Sequence, residues 1–271
     1  MAQEKLRLTM PVDQFSRYCA VIAPVVMRVC CYALLICVSD WNLILAHGQE
    51  NAKEVPDNRD PPIGQGITCW GHAGGKWAVW IGRPCAPFDV DSDSLADLAK
   101  LEQIESIFVY PKTGLKASDF AVLGKLKCVR RLQITWFGDD CRELIVHIGK
   151  CNGLESLSLF APKLKANDLK WFDNFDKLTE LFVKSDDISA EHIHTIVNLD
   201  CGIQALRISS YVGDNPTFED LVPVFQMDKL TRLEIDGENL SESEKRDVIR
   251  LLGNCDVRMT CEVWSEVFTR L

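Results

Sequence analysis

The stretch Leu154-Glu155-Ser156-Leu157-Ser158-Leu159 sets three apolar residues first three and then two positions apart. The same phrase recurs at Ile104/Ile107/Val109, Val129/Leu132/Ile134, Leu178/Leu181/Val183, Ile203/Leu206/Ile208 and Leu230/Leu233/Ile235. Its middle residues step along the 271-residue chain by 25, 25, 24, 25 and 27. Self-similarity at a fixed period in the twenties marks a solenoid, in which each unit buries its apolar face against its neighbours. The last two apolar residues of each phrase are two apart, which places them on one face of a strand.

Between phrases the apolar spacing becomes helical. Phe120, Leu123 and Leu126 share one face, as do Leu169, Phe172 and Phe175. The expected helices are Ser94–Leu101, Ser118–Leu126, Cys141–Gly149, Asn167–Phe175, Ala190–Val197, Phe218–Phe225 and Glu242–Gly253. Ser241 with Glu244 reads as a capping box, and Asn167 and Ser189 stand where an N-cap is wanted. Strand and short helix alternating at this period predict an α/β fold, a parallel sheet with helices behind it. Upstream, residues 63–91 read as an N-terminal cap hairpin with strands Ile67–Trp70 and Trp77–Ile81. Val79-Trp80-Ile81 reads as a degenerate first repeat strand. Residues 49–62 are polar with three prolines, the composition of a disordered linker.

The six phrases over roughly residues 92–263 resemble the leucine-rich repeat family. A further apolar residue follows the second strand position by five at Leu164, Ile188 and Leu240, and by six at Leu115, which matches the family's next core position. One feature departs from the family. Its Asn or Cys ladder position holds Lys112, Phe137, Pro162, Asp186, Tyr211 and Glu238 here. The units are most similar to the short repeats of bacterial leucine-rich proteins. The resemblance implies a solenoid over 92–271 with its own C-terminal cap, the parallel sheet on the concave face, and short helices behind. It further implies a recognition scaffold with no cofactor, rather than an enzyme.

The formal charge of −9 argues against nucleic acid, which would call for a basic stripe. Residues 1–48 read as a signal peptide or signal anchor. Residues 18–38 are rich in Ala, Val, Ile, Leu and Cys, but Pro24 and Arg28 interrupt them. With Met27 as the true start, Met27-Arg28 is a basic opening, Val29 to Val38 an apolar core and Ala46-His47-Gly48 a cleavage site. An exported protein is expected, with an uncleaved membrane anchor or a cytosolic protein as alternatives. Four of twelve cysteines lie in this leader. Among the rest, Cys69 and Cys85 flank the hairpin and are the candidate disulfide. Cys128, Cys151 and Cys201 precede strands and read as small packed thiols.

Catalytic signatures are poor. Gly74-Gly75-Lys76-Trp77 lacks the glycine and hydroxyl of a phosphate loop. His192 and His194 point to different helix faces, and Cys255 and Cys261 have no nearby His for a metal. The informative surface is the sheet face opposite the helices. Its expected triplets are Ser106/Phe108/Tyr110, Arg131/Gln133/Thr135, Ser156/Ser158/Phe160, Glu180/Phe182/Lys184, Ala205/Arg207/Ser209 and Arg232/Glu234/Asp236. The candidate binding residues are Phe108, Tyr110, Phe160 and Phe182, with Trp136 at one strand end and Arg207 and Arg232 toward the charged end. A protein or peptide ligand is the expected partner. A membrane-anchored structural envelope component and a cytosolic substrate-selecting adaptor are the alternatives.

Overall fold

The computed structural model describes residues 67–72, 76–82, 90–101, 103–110, 115–211 and 215–260. The leader, the linker, Cys85 and Cys261 lie outside them. The description concerns the unit Val55–Leu271. Among the described residues nine strands form one sheet in sequence order. They are β1 Ile67–His72, β2 Lys76–Ile81, β3 Ile104–Val109, β4 Arg131–Thr135, β5 Ser156–Phe160, β6 Glu180–Ser185, β7 Ala205–Ser210, β8 Arg232–Asp236 and β9 Asp256–Thr260. β1 pairs antiparallel with β2, and every later pairing is parallel. The molecule is therefore the α/β solenoid that the repeat spacing predicts, with each strand beside its sequence neighbour.

The register explains why the phrase repeats. Ile107, Leu132, Leu157, Leu181, Leu206 and Leu233 lie side by side across six strands. Val109, Ile134, Leu159, Val183, Ile208 and Ile235 form the second core row, with Ile81 as its first member. All of them are buried, and they belong to one continuous core. A repeat thus completes its core only against the next repeat. Val79-Trp80-Ile81 joins this pattern, since Trp80 pairs with Phe108 and Ile81 with Val109. Gly82 follows at φ +65, where a Cβ would collide with the Tyr110 carbonyl. The Tyr110 N–H donates to Ile81 O at 2.8 Å and holds Tyr110 against this turn, so only glycine closes the junction.

Helices cover the other side of the core. The α-helical segments are α1 Ser92–Ala96, α2 Cys141–Ile148, α3 Ala166–Leu169, α4 Ala190–Val197, α5 Phe218–Leu221 and α6 Glu242–Leu252. Between β3 and β4 the helical part of the described return is 3₁₀, over Ala117–Lys125. α1, α3 and α5 each run on into a 3₁₀ segment, where continuous helices were expected. A 3₁₀ turn advances ~2.0 Å per residue against ~1.5 Å for an α-helix, so a short repeat returns with fewer residues.

The caps follow the sequence in part. Glu244 accepts from Ser241 N–H at 2.7 Å while Ser241 Oγ accepts from Glu244 N–H, the expected box. Ser189 caps α4. Asn167 does not cap α3: Lys165 occupies that position and Asp168 accepts its N–H at 3.1 Å. Asparagine's place is taken because the local carboxylate already reaches the orphan donor.

The missing asparagine ladder is replaced, in two repeats, by serine. Ser185 Oγ donates to Pro162 O at 3.0 Å, and Ser210 Oγ donates to Asp186 O at 2.8 Å. Both accepting carbonyls belong to the departed ladder positions of the preceding repeat.

Candidate functional site

Strand side chains alternate, so the residues between the core rows form the open face. Its central row, in register from β2 to β9, is Trp80, Phe108, Gln133, Ser158, Phe182, Arg207, Glu234 and Arg258. At ~4.8 Å per strand gap the row spans about 34 Å. The triplets expected from the sequence occupy this face. Their chemistry is less open than expected.

The aromatic end is a stack. Trp80 lies 4.8 Å from Phe108, with 24° between ring planes, and 5.8 Å from Tyr110. Gln133 Nε2 donates to the Tyr110 hydroxyl at 3.0 Å. Trp80 and Phe108 are half-buried, and Tyr110 is buried. Trp80 was absent from the expected binding set, although its place in the degenerate strand signalled it.

Three expectations need correction. Trp136 is 4 % exposed and does not sit on the face. It meets Phe120 edge-on at 5.6 Å, and its indole N–H donates to Asp140 Oδ1 at 3.1 Å. One residue past the strand, the alternation turned its ring into the core, and Phe137 takes the exposed place. Phe160 and Tyr110 remain on the face side but are buried, Phe160 edge-on to Phe182 at 4.8 Å. Phe108 and Phe182 are the two candidate aromatics that stay part-exposed.

The charged end is internally paired. Arg207 lies over the Phe182 ring at 4.2 Å and meets Glu234 at 3.1 Å. Arg232 reaches Glu180 at 3.5 Å across two strand gaps. The residue between them in register is Ala205, whose short side chain leaves the span open. These pairs were not anticipated, although a parallel register with a two-strand reach would have suggested them. Toward the C-terminal ends of these strands Lys184 sits over Tyr211 at 4.7 Å, and Ser209 donates to the buried Asp236 carboxylate at 2.6 Å.

A second feature is a groove of about 430 Å³ along the strand starts, lined by Lys76, Glu105, Lys127, Arg130, Glu155 and Lys177 among others. Lys76 pairs with Glu105 and Arg130 with Glu155. Burial opposes the charge on Glu105, but Lys76 and the nearby arginines outweigh it and hold the carboxyl below its ordinary value. Cys128 lines this groove and is exposed, contrary to the packed thiol expected. The offset before the strand decides the fate of each thiol. Cys151, six before Leu157, is buried and donates to Leu123 O at 3.0 Å. Cys201, five before Leu206, is half-buried, and Cys128, four before Leu132, faces out. Burial pushes Cys151 up to about 12 and Cys201 up to about 11, so both are inert thiols.

His192 is buried and structural. Ser189 N–H donates to its Nδ1 at 3.2 Å, which leaves the proton on Nε2, facing Leu164 O at 3.1 Å. The ring therefore ties one repeat to the preceding turn. Among the described residues no group of three or more His, Cys, Asp or Glu could hold a metal, and no helix is long and apolar enough to cross a membrane.

No family model matches the chain, and no curated protein matches it. Among solved structures it is similar to a leucine-rich repeat protein of Leptospira interrogans. The two share 15% identity over 60% of this chain and 51% of that one, with a TM-score of 0.32. The chain thus spans about half the length of that protein. The leucine-rich-repeat-like fold stands on the strand register and its core rows.

Proposed function

We propose that the chain is a non-enzymatic binding module, exported through its leader, that takes a protein or peptide on the open face of its parallel sheet. The single observation behind this is the central row. Trp80, Phe108 and Phe182 hold large rings part-exposed on a rigid sheet, while the core lies on the other side. Rigid part-buried aromatics are the residue type that dominates protein-binding energy, because little entropy is lost when they are covered. Arg207, held over Phe182, adds a charged donor beside an apolar anchor.

The test uses the full chain as bait in its source extract, with each captured protein then purified and titrated against bait variants. Phe108→Ala and Phe182→Ala should each weaken the complex by ~1–3 kcal/mol, the usual hot-spot range. Their melting temperatures should stay close to the parent's. Variants that lose stability while keeping affinity would show that the rings serve the fold, and would overturn the site.

A further inference from the structure

We propose that the protein forms a two-fold dimer in which β9 pairs antiparallel with β9 of a second copy, centred on Val257. The sheet ends at β9, and among the described residues no further strand pairs with it. Asp256 N–H donates to Thr231 O at 2.8 Å, on the β8 side. Backbone groups alternate sides along a strand, so Val257 and Met259 direct theirs to the outer edge. An edge of this kind is a template for another strand. β9 carries no proline or glycine to blunt it.

Among the described residues nothing covers the layer behind the edge fully. Ile249 on α6 is 52 % exposed, and Leu252, Val257 and Met259 are only partly buried against the core. The stem of Lys245 and the Met259 side chain flank Gly237, where an added Cβ would meet them at 3.5 and 3.3 Å. Ile249 stands one turn along α6 from Lys245, on the same stripe. The last repeat thus ends in an apolar layer with a hydrogen-bonding edge in front, and a second copy offers both in complementary form.

Charge selects the register. Asp256 and Arg258 are exposed on the open face, paired with each other at 2.9 Å. A two-fold axis at Asp256 would set carboxylate against carboxylate, and one at Arg258 would set guanidinium against guanidinium. An axis at Val257 sets Asp256 of each copy opposite Arg258 of the other. It also makes Val257 a hydrogen-bonded pair, as its outward backbone groups require. Asp256 and Arg258 then fall in non-hydrogen-bonded pairs, where facing side chains are closest and charge counts most.

Sedimentation equilibrium on the full chain, over about 1–100 μM where dimers of modest affinity show themselves, tests this. The parent should dimerise. Arg258→Asp, which sets like charges against each other, should raise the dissociation constant roughly tenfold or more. Asp256→Arg with Arg258→Asp restores opposite charges and should bring it back to within roughly threefold of the parent. Circular dichroism on each variant verifies that the fold persists. A parent that stays monomeric would overturn the dimer, whether the edge is left bare or covered by residues 261–271. A dimer indifferent to Arg258→Asp, or not recovered by the swap, would overturn the β9 register.

Discussion

The two ends of the open face share one backbone and differ in chemistry. Around β2 and β3 the face is a stack of rings, Trp80 on Phe108 and Tyr110. From β6 to β8 it is a lattice of ion pairs, Arg207 with Glu234 and Arg232 with Glu180. The core rows beneath do not change, remaining Ile, Leu and Val throughout. The difference separates two kinds of information in one repeat. The inward residues must be apolar because neighbouring repeats complete each other's core, whereas the part-exposed residues of the central outward row carry no such requirement. Variation confined to the outward rows is how a solenoid acquires a specific surface without altering its frame.

The hardest blow to the comparison falls on what the two ends share. Leu157 is fully buried in the middle core row, between Leu132 and Leu181. Leu157→Asp puts a carboxylate where no partner exists and should abolish the cooperative melt. Leu157→Ala should cost ~2–5 kcal/mol, as for other buried leucines. Thermal unfolding followed by circular dichroism reads both. An unchanged melt for Leu157→Asp would mean that the repeats do not share a core, and the common frame would be lost.

A smaller effect belongs to the frame's last helix. Ser241→Ala should cost ~1 kcal/mol by removing the cap of α6. The reciprocal half of the box is a carboxylate. Hydrogen bonds from Ser241 hold Glu244 below its ordinary 4.5. Its contribution is fully present above that ordinary value and is lost as the pH falls through the depressed folded value. The melting temperature of Glu244→Gln should therefore fall short of the parent's at pH 7, and the gap should close in acid. A gap independent of pH would assign the effect to packing instead.

The spacing of Leu154, Leu157 and Leu159 was enough to place the core rows and the parallel order from β3 to β8, because burial in a repeat is periodic and local; β9, whose Val257 and Met259 extend both rows, was not read. Helix character was less legible. Nothing in Ser118–Leu126 distinguishes an α from a 3₁₀ return, since the choice depends on the distance to be covered. The open face was legible as a set of positions and not as a set of exposures. Trp136 turned inward because alternation carries on one residue past the strand, in the parity of Leu132 and Ile134. Phe160 was covered by its neighbour Phe182, and Arg207 and Arg232 found acids on other strands. The misses at Phe160, Arg207 and Arg232 involve contact between repeats, which spacing within one repeat does not contain.

The finest test asks how firmly the charged end is held. Glu180 and Arg232 are both about half exposed, at 51% and 45%, and their nearest approach is 3.5 Å. Such a pair gains little in water, because solvent screens it and two long side chains must be ordered. A double-mutant cycle with Glu180→Ala and Arg232→Ala, read by chemical denaturation, should give a coupling of ~0.2–1 kcal/mol that fades at high salt. Arg207→Ala should cost more than Arg232→Ala, because Arg207 also loses its place over Phe182. On the binding side, Arg232→Ala should change the association rate and its salt dependence more than dissociation, since an exposed charge acts mainly on encounter. A coupling well above 1 kcal/mol, or one indifferent to salt, would make the pair a clamp across three strands. The charged end would then be fixed by ion pairs as the aromatic end is fixed by ring stacking.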